Sequence, residues 1–516
     1  MGDDGVRSNH GRDVYWMLDA WAQRRPTHPF LIWEPFEGDC RTWTYAEFAH
    51  LVEALAAGLL KRGIRPGKRI MLHMDNCPEF VLAWLACAYI GAVAVCTNTR
   101  SSDADIRYFG EHAEIEAAIT QQSFARMLED NLPGAKWLAI TNALGPHDQP
   151  LSELLAESIT EHFPVASDAP VSIQYTSGTT ARPKAVVWTH DNVIFGARTS
   201  AAHELLTPDD VHLIHLPLFH TNAQMYSLMA TLWVGGTAVI QPRFSASRFW
   251  DVAMRHRCTW SGMVPFCVKA LVNQGPAPDH YFRLWGNGVS RPAEDELLGV
   301  RTIGWYGMTE TVTHCAVDDA LYPGHRGGMG RVAPEYKLRL VDDDGRPVGV
   351  DEVGNVEVLG VPGVSLFAGY LHDEEATAAS YRADGWFMTG DQALLHPDGH
   401  LSFAGRTKDM MKVGGENVAA AEVEQVVLGI TGVSEVAVVG RPDEMLNEVP
   451  VAFVLQDRSV EPEVLTARIL DRCRRQLASF KVPREIRLVE ELPRSTLNKV
   501  AKGELRELLV REDSKT

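Results

Sequence analysis

Helical patterns alternate with short β-branched runs along much of the chain, and this alternation restricts the fold more than any other feature. Apolar spacing predicts helices at Tyr45–Arg62 and Glu79–Ile90, with strands at Arg69–His73 and Ala92–Thr97. Strands separated by helices are typical of parallel sheets covered by helices. The sequence therefore predicts an α/β fold built in layers.

The pattern changes twice towards the C-terminus. Strand-like runs at Lys337–Val341 and Gly354–Leu359, with Asp-Gly turns nearby, predict a more antiparallel, β-barrel-like region. After Gly405-Arg406 the chain contains helical patterns at Ala420–Gly429 and Pro462–Leu477, with strand patterns at Val433–Gly440 and Val449–Leu455 between them. We therefore expect a small, separate α+β unit at this end.

Charge and cysteine content exclude several classes of protein. The 516 residues carry a formal net charge of −18, whereas proteins that hold nucleic acids by their overall field are usually basic. The eight cysteines are scattered, without Cys-x-x-Cys pairs or zinc-finger spacing, which predicts reduced thiols and a cytoplasmic location. The polar N-terminus has no signal-peptide core, and the long apolar run Val81–Cys96 predicts a buried helix followed by a buried strand rather than a membrane span.

One polar loop carries the strongest chemical signal. Tyr175–Val187 (YTSGTTARPKAVV) places hydroxyls, a glycine and a lysine between two apolar strands. Backbone N–H groups, hydroxyls and an ammonium are suited to an anionic polyphosphate. The spacing differs from a Walker A loop. Taken alone, the segment is also compatible with an ordinary polar hairpin loop.

The loop resembles the phosphate-binding loop of the adenylate-forming superfamily, which includes acyl-CoA synthetases, peptide-synthetase adenylation domains and luciferases. Further motifs of that superfamily follow in its order: LPLFH (Leu216–His220), WYGMTET (Trp305–Thr311), GGMGR (Gly327–Arg331), DGWFMTGD (Asp384–Asp391), GRTKDMMKVGGENVAAAEVE (Gly405–Glu424) and LPRSTLNK (Leu492–Lys499). The resemblance extends from about Tyr15 to Leu508. The sequences of these motifs most resemble those of the carnitine/crotonobetaine-CoA ligase branch.

The resemblance implies a large N-terminal domain, residues 1–407, and a small mobile C-terminal domain, residues 408–516. It also implies an enzyme, an AMP-forming acid–thiol ligase. ATP would react with a carboxylic acid to give an acyl-adenylate, and coenzyme A as co-substrate would then take the acyl group. Domain alternation about Lys408 would serve both half-reactions at one site. The expected partners are the acid or its acyl-adenylate and coenzyme A, with no nucleic acid and no membrane; a homodimer is left open.

Matching the motifs residue by residue assigns the nucleotide site. Lys499 would bridge the acyl carboxylate and the α-phosphate, Thr309 would contact that phosphate, and Glu310 would hold Mg²⁺, with Ser177 or Thr179 as further metal candidates. The phosphate cradle would comprise Thr176, Ser177, Gly178, Thr179, Thr180 and Lys184. Adenine would lie between Tyr306, with Gly307 and Met308, and a wall made of Gly286, Asn287 and Gly288. Asp391 and Arg406 would contact the ribose, with Phe403 nearby.

The same matching assigns the thiol and acyl sites. Gly414, Gly415 and Glu416 would line the pantetheine tunnel, Phe480 and Lys481 would contact coenzyme A, and His220 would gate the acyl pocket. Pocket walls are expected from His220–Gln224, Trp285–Gly288 and Tyr306–Thr309, with Gly286 and Gly288 leaving room for a bulky acyl group. The identity of the acid is not readable from the sequence.

Two alanines depart from the family pattern. Ala181 and Ala185 stand where glycine is common, and their methyl groups would crowd a bound polyphosphate. Two alternatives to a complete ligase therefore stay open. One is an enzyme that only converts a supplied acyl-adenylate into a thioester; the other is a standalone adenylation protein that loads a carrier protein, or a non-catalytic binder.

Overall fold

The chain folds into two compact units. A computed structural model describes residues 12–101, 103–141, 150–155, 165–176, 183–322, 324–406, 410–413, 416–443, 446–457, 459–477, 479–494 and 500–513. Unit 1 comprises Met1–Leu338 and Val358–Phe387, and unit 2 comprises Arg339–Glu357 and Met388–Thr516. The predicted domain boundary at Lys408 marks the place where one domain would move relative to the other. The division into compact units does not report such movement, so this boundary stays a prediction.

The α-helices of the described residues are α1 Tyr15–Arg24, α2 Tyr45–Lys61, α3 Pro78–Tyr89, α4 Asp103–His112, α5 Gln122–Asn131, α6 His190–His203, α7 Ala230–Val234, α8 Ala246–Arg255, α9 Pro265–Val272, α10 Glu294–Leu298, α11 Glu374–Ala379, α12 Ala420–Leu428, α13 Pro462–Gln476 and α14 Lys502–Asp513. Short 3₁₀ turns occupy Leu151–Leu154, Thr309–Thr311 and Ser479–Lys481, and a π-helix occupies Asn222–Met229.

The strands are β1 Pro29–Trp33, β2 Arg41–Thr44, β3 Arg69–His73, β4 Val93–Cys96, β5 Ala117–Gln121, β6 Leu138–Thr141, β7 Pro170–Thr176, β8 Lys184–Thr189, β9 Val211–Ile214, β10 Thr237–Ile240, β11 Trp260–Gly262, β12 Leu284–Asn287, β13 Thr302–Tyr306, β14 Ala316–Val317, β15 Arg331–Val332, β16 Lys337–Val341, β17 Val353–Leu359, β18 Gly369–Tyr370, β19 Phe387–Leu395, β20 Leu401–Arg406, β21 Met410–Val413, β22 Glu416–Ala419, β23 Val433–Asp443, β24 Asn447–Gln456 and β25 Glu485–Val489.

Two large mixed sheets form unit 1 and confirm the predicted α/β layers. One has the order β18-β8-β7-β4-β3-β5-β6 and the other β15-β14-β13-β12-β11-β9-β10-β1-β2. Their central strands pair in parallel. Antiparallel strands lie at both edges of the nine-stranded sheet and at the β18–β8 edge of the seven-stranded sheet, whose other edge strand, β6, is parallel. The apolar run Val81–Cys96 forms most of α3 and all of β4, and every described residue of that run is buried. No helix among the described residues is both long and apolar enough to cross a membrane.

Unit 2 contains a four-stranded sheet, β16-β17-β19-β20, and a second sheet in which β22, β21, β24 and β23 follow one another and β25 joins β24. The second sheet packs its apolar face against α12 and α13, around Val423, Val438 and Ile469. This arrangement is the small α+β unit that the sequence predicts. The strands described in the barrel-like region form an open sheet rather than a closed barrel. Its predicted Asp-Gly turns are present, since Gly345 and Gly399 have φ values of +83° and donate back across the turn.

Candidate active site

The β7–β8 hairpin forms the stem of the predicted phosphate loop. Thr176 ends β7 opposite Lys184, which begins β8, and the Thr176 hydroxyl lies 3.5 Å from the Lys184 carbonyl oxygen. The Tyr108 hydroxyl donates to the carbonyl of Pro183 at 3.2 Å, which holds the second arm of the loop. Ser177, Gly178, Thr179, Thr180 and Ala181 lie outside the described residues.

Lys184 and Glu310 meet at one tyrosine. The Lys184 ammonium lies 4.4 Å from the centre of the Tyr370 ring, and the Tyr370 hydroxyl donates to Glu310 Oε1 at 3.0 Å. Burial, together with the Glu310 carboxylate, raises the pKa of Tyr370, so its proton stays available for donation. This places the predicted phosphate lysine and the predicted magnesium carboxylate beside each other in unit 1, although 126 positions separate them in the sequence (310 − 184).

Thr309 is held from two sides. Trp188 Nε1 donates to its carbonyl oxygen at 2.8 Å, and the hydroxyls of Thr221 and Thr309 lie 3.1 Å apart. Thr221 also contacts Gln174 Oε1 at 3.3 Å, and Gln174 Nε2 donates to Gln224 at 2.5 Å. The predicted α-phosphate contact is therefore fixed by a buried polar network.

A strained turn follows the Thr309–Thr311 segment. Val312 has φ +64° and ψ −50°, and the Thr313 amide donates to the Thr311 carbonyl at 2.6 Å. This is a γ-turn of the rare, positive-φ form, which is unfavourable for a β-branched residue. Backbone strain of this kind concentrates at functional sites, where surrounding structure holds it in place.

The predicted adenine walls end two neighbouring strands. Gly286 and Asn287 end β12, with Gly288 directly after, and Tyr306 ends β13, which pairs with β12 in parallel. Ligands of open α/β sheets bind beyond such carboxyl ends. Gly307 is required here, because a Cβ would lie 2.6 Å from both the Thr313 carbonyl and the Tyr226 hydroxyl. The backbone of Met308 continues this edge and accepts a hydrogen bond from Thr311.

The expectation that Gly286 leaves room for a bulky acyl group is wrong. A Cβ on Gly286 would lie 1.7 Å from the Trp305 indole, so this indole already occupies the space. Gly288 differs, because a Cβ there would meet nothing within 4 Å. A glycine in a sequence shows that a side chain is missing, but not which neighbour fills the gap.

His220 is partly exposed, and its ring contacts Phe219 edge-on, with ring centres 4.8 Å apart. Its carbonyl accepts the Gln224 amide at 3.0 Å, at the start of the π-helix. A π-helix is rare and frequently lies at a functional site. Gating of the acyl pocket by His220 stays a prediction.

Ala185 packs away from the predicted phosphate cradle. Its side chain is 1% exposed and belongs to a core cluster with Ile173, Val187 and Phe109. It is not among the described residues that have a positive φ. The concern that its methyl group would crowd a polyphosphate therefore has no support at this position.

The predicted ribose contacts lie in unit 2. Asp391 on β19 is 6% exposed and is opposite Arg406 in the β19–β20 pairing. Phe403 also lies on β20 and is 38% exposed. The side chains of Arg406 and Glu416 lie outside the description, as do Lys408, Gly414, Gly415 and Lys499 entirely.

Lys481, the predicted coenzyme A contact, already has a partner. Its ammonium donates to both oxygens of Glu422 at 2.8 and 2.7 Å. The Phe480 ring is partly buried against the core of the second sheet of unit 2. Coenzyme A would have to compete with Glu422 for this lysine.

Sequence reasoning missed Tyr370, Trp188 and Gln174, and it assigned Thr221 only to the wall of the acyl pocket. Gln174 and Trp188 directly flank the segment Tyr175–Val187, which was the available signal. Tyr370 lies 60 positions beyond Glu310 and has no local pattern that points to it.

Comparison with known proteins agrees with this geometry. A family model described as AMP-binding enzyme matches residues 18–371, and the AMP-binding enzyme C-terminal domain matches residues 422–499. A crotonobetaine/carnitine–CoA ligase of Salmonella paratyphi C (strain RKS4594) is 32% identical, over 96% of this chain and 99% of its own.

Solved structures show the same similarity. The anthranilate CoA ligase AuaEII in complex with anthranoyl-AMP matches with a TM-score of 0.89 and 25% identity, over 98% of both chains. The o-succinylbenzoate coenzyme A synthetase MenE from Bacillus subtilis, in complex with ATP and a magnesium ion, matches with a TM-score of 0.82 and 29% identity, over 96% of this chain and 98% of its own. The expected ATP, Mg²⁺ and coenzyme A agree with what these names describe.

The layered fold and the strand-end site define an adenylate-forming enzyme. The chain belongs to the AMP-binding enzyme family and, within it, to the AMP-forming acyl-CoA ligases.

Proposed function

We propose that this chain is a complete ATP-dependent ligase that joins a small carboxylic acid to coenzyme A. The observation that carries the proposal is the contact of Lys184 and Glu310 with the same Tyr370 side chain. A cation and a carboxylate fixed together at a strand end suit a polyphosphate and its metal ion. Two anions can react there once their charges are balanced.

In the first half-reaction, a carboxylate oxygen of the acid bonds to the α-phosphorus of ATP, and the bond to pyrophosphate breaks. Thr309 would hold an α-phosphate oxygen, and Lys184 would hold the departing phosphates. Lys499 would bridge the two reacting anions. The roles of Thr176, Asp391 and Tyr306 as cradle, ribose and adenine contacts belong to the same proposal.

The Glu310 carboxylate suits Mg²⁺, because it is a hard oxygen donor and is only 5% exposed. A bound magnesium ion would neutralise phosphate charge. Tyr370 orients Glu310 for this role through its donated hydrogen bond. Ser177 and Thr179 remain further candidates from the sequence.

In the second half-reaction, the thiol sulfur bonds to the acyl carbonyl carbon, and AMP leaves with its bonding electrons. Gly414, Gly415 and Glu416 would line the approach of the thiol after residues 408–516 rearrange, with Lys408 at the hinge. Movement between residues 1–407 and 408–516 is part of this proposal.

The thioester-only alternative is weaker than the sequence alone suggests. Ala185 contributes to the core rather than to the phosphate cradle, so only Ala181 still supports it. Pyrophosphate release from ATP and an acid separates this alternative from the complete ligase. Comparing coenzyme A with a carrier protein as acceptor tests the adenylation-only alternative.

The main test is Lys499→Ala. We expect ATP–pyrophosphate exchange to fall by about two orders of magnitude or more, because a charge that meets both anions is lost. Thioester formation from a supplied acyl-adenylate should survive. Lys502→Ala is the matched control, because Lys502 pairs with Glu424 at 2.8 Å and should matter little to either step. Equal loss in both half-reactions of the Lys499 variant would refute the assignment.

We also propose a cytoplasmic location. All eight cysteines are free and seven of them are buried, which suits a reducing compartment. Cell fractionation with an antibody to the chain tests this. The homodimer stays a prediction that light scattering of the purified chain decides.

A further inference from the structure

We propose that Trp305 closes the acyl pocket at the depth of Gly286 and restricts this ligase to compact acids. The inference rests on the proposed function, since it concerns the acyl side of the same site. It names a class of substrate, short or small acyl groups, and the side chain that selects it.

Trp305 lies at the end of β13, directly beside the segment Tyr306–Thr309 that is expected to form a wall of the acyl pocket. It directly precedes Tyr306 on β13, and its indole lies over Gly286 of β12, whose register partner on β13 is Ile303. The absent side chain of Gly286 makes room for the indole, whose nearest atom lies 1.7 Å from a Cβ built there. The side chain is 6% exposed, so the ring fills space inside the sheet edge.

The indole is locked in this position by its neighbours. Trp260 lies parallel to it, with ring centres 6.0 Å apart and planes 3° apart. His314 stacks on it at 4.4 Å and 14°, and Tyr226 meets it edge-on at 5.6 Å. Rotation of the ring to admit a longer chain would break all these contacts together.

The region beyond the indole is polar. Both ring nitrogens of the fully buried His314 have no hydrogen-bond partner in the described part of the chain, and neither does either carboxylate oxygen of Glu204. Glu204 lies next to the stack, because its main-chain oxygen accepts the Trp260 indole N–H at 3.0 Å. An alkyl chain that displaced the indole would lie against His314 and Glu204, to which it cannot hydrogen-bond, and this contact is unfavourable.

The expected selectivity is steep. A methylene group that does not fit a rigid pocket changes discrimination by about 10–200-fold. We therefore expect affinity to fall by about tenfold or more between a compact acyl group and one that reaches beyond Gly286. Removing the indole should reverse this order.

The experiment uses non-hydrolysable acyl-sulfamoyl adenosines that carry acetyl, butyryl, hexanoyl and octanoyl groups. Calorimetry measures their Kd for the full chain, for Trp305→Ala and for Trp305→Phe. AMP serves as the probe of the nucleotide site. Trp260→Phe is the matched control, because Trp260 supports the stack but is not among the nearest atoms to Gly286. No turnover is needed, so a failed ATP half-reaction would not affect the measurement.

The wild type should bind the short analogues best, and Trp305→Ala should bind octanoyl at least about tenfold better relative to acetyl. Trp305→Phe should lie between them, and Trp260→Phe should keep the wild-type order. Wild-type preference for octanoyl would overturn the inference even if no variant folds. An unchanged order in a folded Trp305→Ala would overturn it as well. If the protein binds AMP but none of the four acyl analogues, the acyl site of the proposed function is rejected. The inference about Trp305 is then rejected as well.

Discussion

Tyr370 joins the two charged groups on which the nucleotide site depends. Its ring faces the Lys184 ammonium, and its hydroxyl bonds to Glu310. A hydrogen bond to a charged group contributes about 1.5–3 kcal/mol when its partner is buried. The single hydroxyl therefore orients the carboxylate, while the ring contact with lysine does not require it.

Tyr370→Phe should lower kcat/KM for ATP by about 10- to 100-fold, because the hydrogen bond to Glu310 is lost and the ring is kept. Thioester formation from a supplied acyl-adenylate should change little. Steady-state kinetics of both half-reactions measure the two effects.

Tyr381→Phe is the matched control for this prediction. Its hydroxyl is buried and has no hydrogen-bond partner among the described residues, so its removal should be nearly neutral. If Tyr370→Phe and Tyr381→Phe behave alike in ATP kinetics, Tyr370 does not position Glu310.

At this scale, the sequence predicts residues that belong to ordered motifs, such as Lys184 and Glu310. It could not predict Tyr370, because only folding brings β18 to β8. The predicted room for an acyl group at Gly286 was wrong, because the indole that fills this space belongs to a residue of another strand.

Secondary-structure elements follow the sequence closely where local signals are strong. The predicted strand Arg69–His73 is β3, and Lys337–Val341 is β16. The strand predicted over Val433–Gly440 continues to Asp443, because its pairing with β24 extends to Asn447. Such an extension depends on the partner strand rather than on the strand's own residues.

One ion-pair cluster links β1 to the end of α8. Glu34 follows β1 and is 4% exposed; it accepts hydrogen bonds from Arg255 at 2.9 and 3.0 Å and lies 2.5 Å from His256 Nε2. Burial alone would raise the pKa of Glu34, but hydrogen bonds from His256 and Arg255 outweigh it, and the pKa is lowered. The folded state thus binds the Glu34 proton more weakly than the unfolded chain does.

Glu34→Gln should destabilise the protein by about 1–3 kcal/mol at pH 7, because Arg255 and His256 lose a charged acceptor. The contribution of a carboxylate with a lowered pKa is present above its unfolded value of about 4.3 and is lost as pH falls through the folded value. Thermal unfolding at pH 7 and pH 4 measures this, with Glu37→Gln, an exposed glutamate of the same loop, as control. A difference between Glu34→Gln and wild type that persists unchanged at pH 4 would contradict the electrostatic cause.

Four buried histidines lower the stability of the folded chain as the pH falls. Burial lowers the pKa of His73 to about 4 and those of His212 and His215 to about 3, and it lowers the pKa of His314 well below its usual value. In the unfolded chain these groups titrate near 6.5. At pH values between the pKa of the folded state and that of the unfolded chain, the unfolded histidines bind protons that the folded histidines do not. Falling pH therefore favours unfolding.

Unfolding should therefore take up as many as about four protons between pH 6 and pH 5, with stability falling by up to about 5 kcal/mol per pH unit. Calorimetry in buffers of different ionisation enthalpy measures the uptake. His212→Phe should reduce it by about one proton, since His212 is 1% exposed and stacks on Trp260. An uptake below one proton in the wild type would contradict the prediction.

The sequence predicts the layers of the molecule but not how the chain is shared between the units. Unit 2 takes Arg339–Glu357 before unit 1 is complete, and Val358–Phe387 then returns to unit 1. The first crossing lies close to the change of pattern at Lys337–Val341, but no pattern in the sequence indicates that the chain returns to unit 1 after Glu357. The family motifs instead suggest Lys408 as the place where movement occurs.

The late position of β18 has a consequence for synthesis on the ribosome. Gly369 pairs with Val187, so the edge of the seven-stranded sheet waits for a strand made 182 residues later (369 − 187). At about 5–20 residues per second, β8 stays uncovered for about 10–40 s in each nascent chain. An unpaired β-edge can join the edge of another chain. Closely spaced ribosomes on one message would bring such edges together, so slower initiation, which spaces the ribosomes apart, or chaperone-assisted translation should raise the yield of folded enzyme.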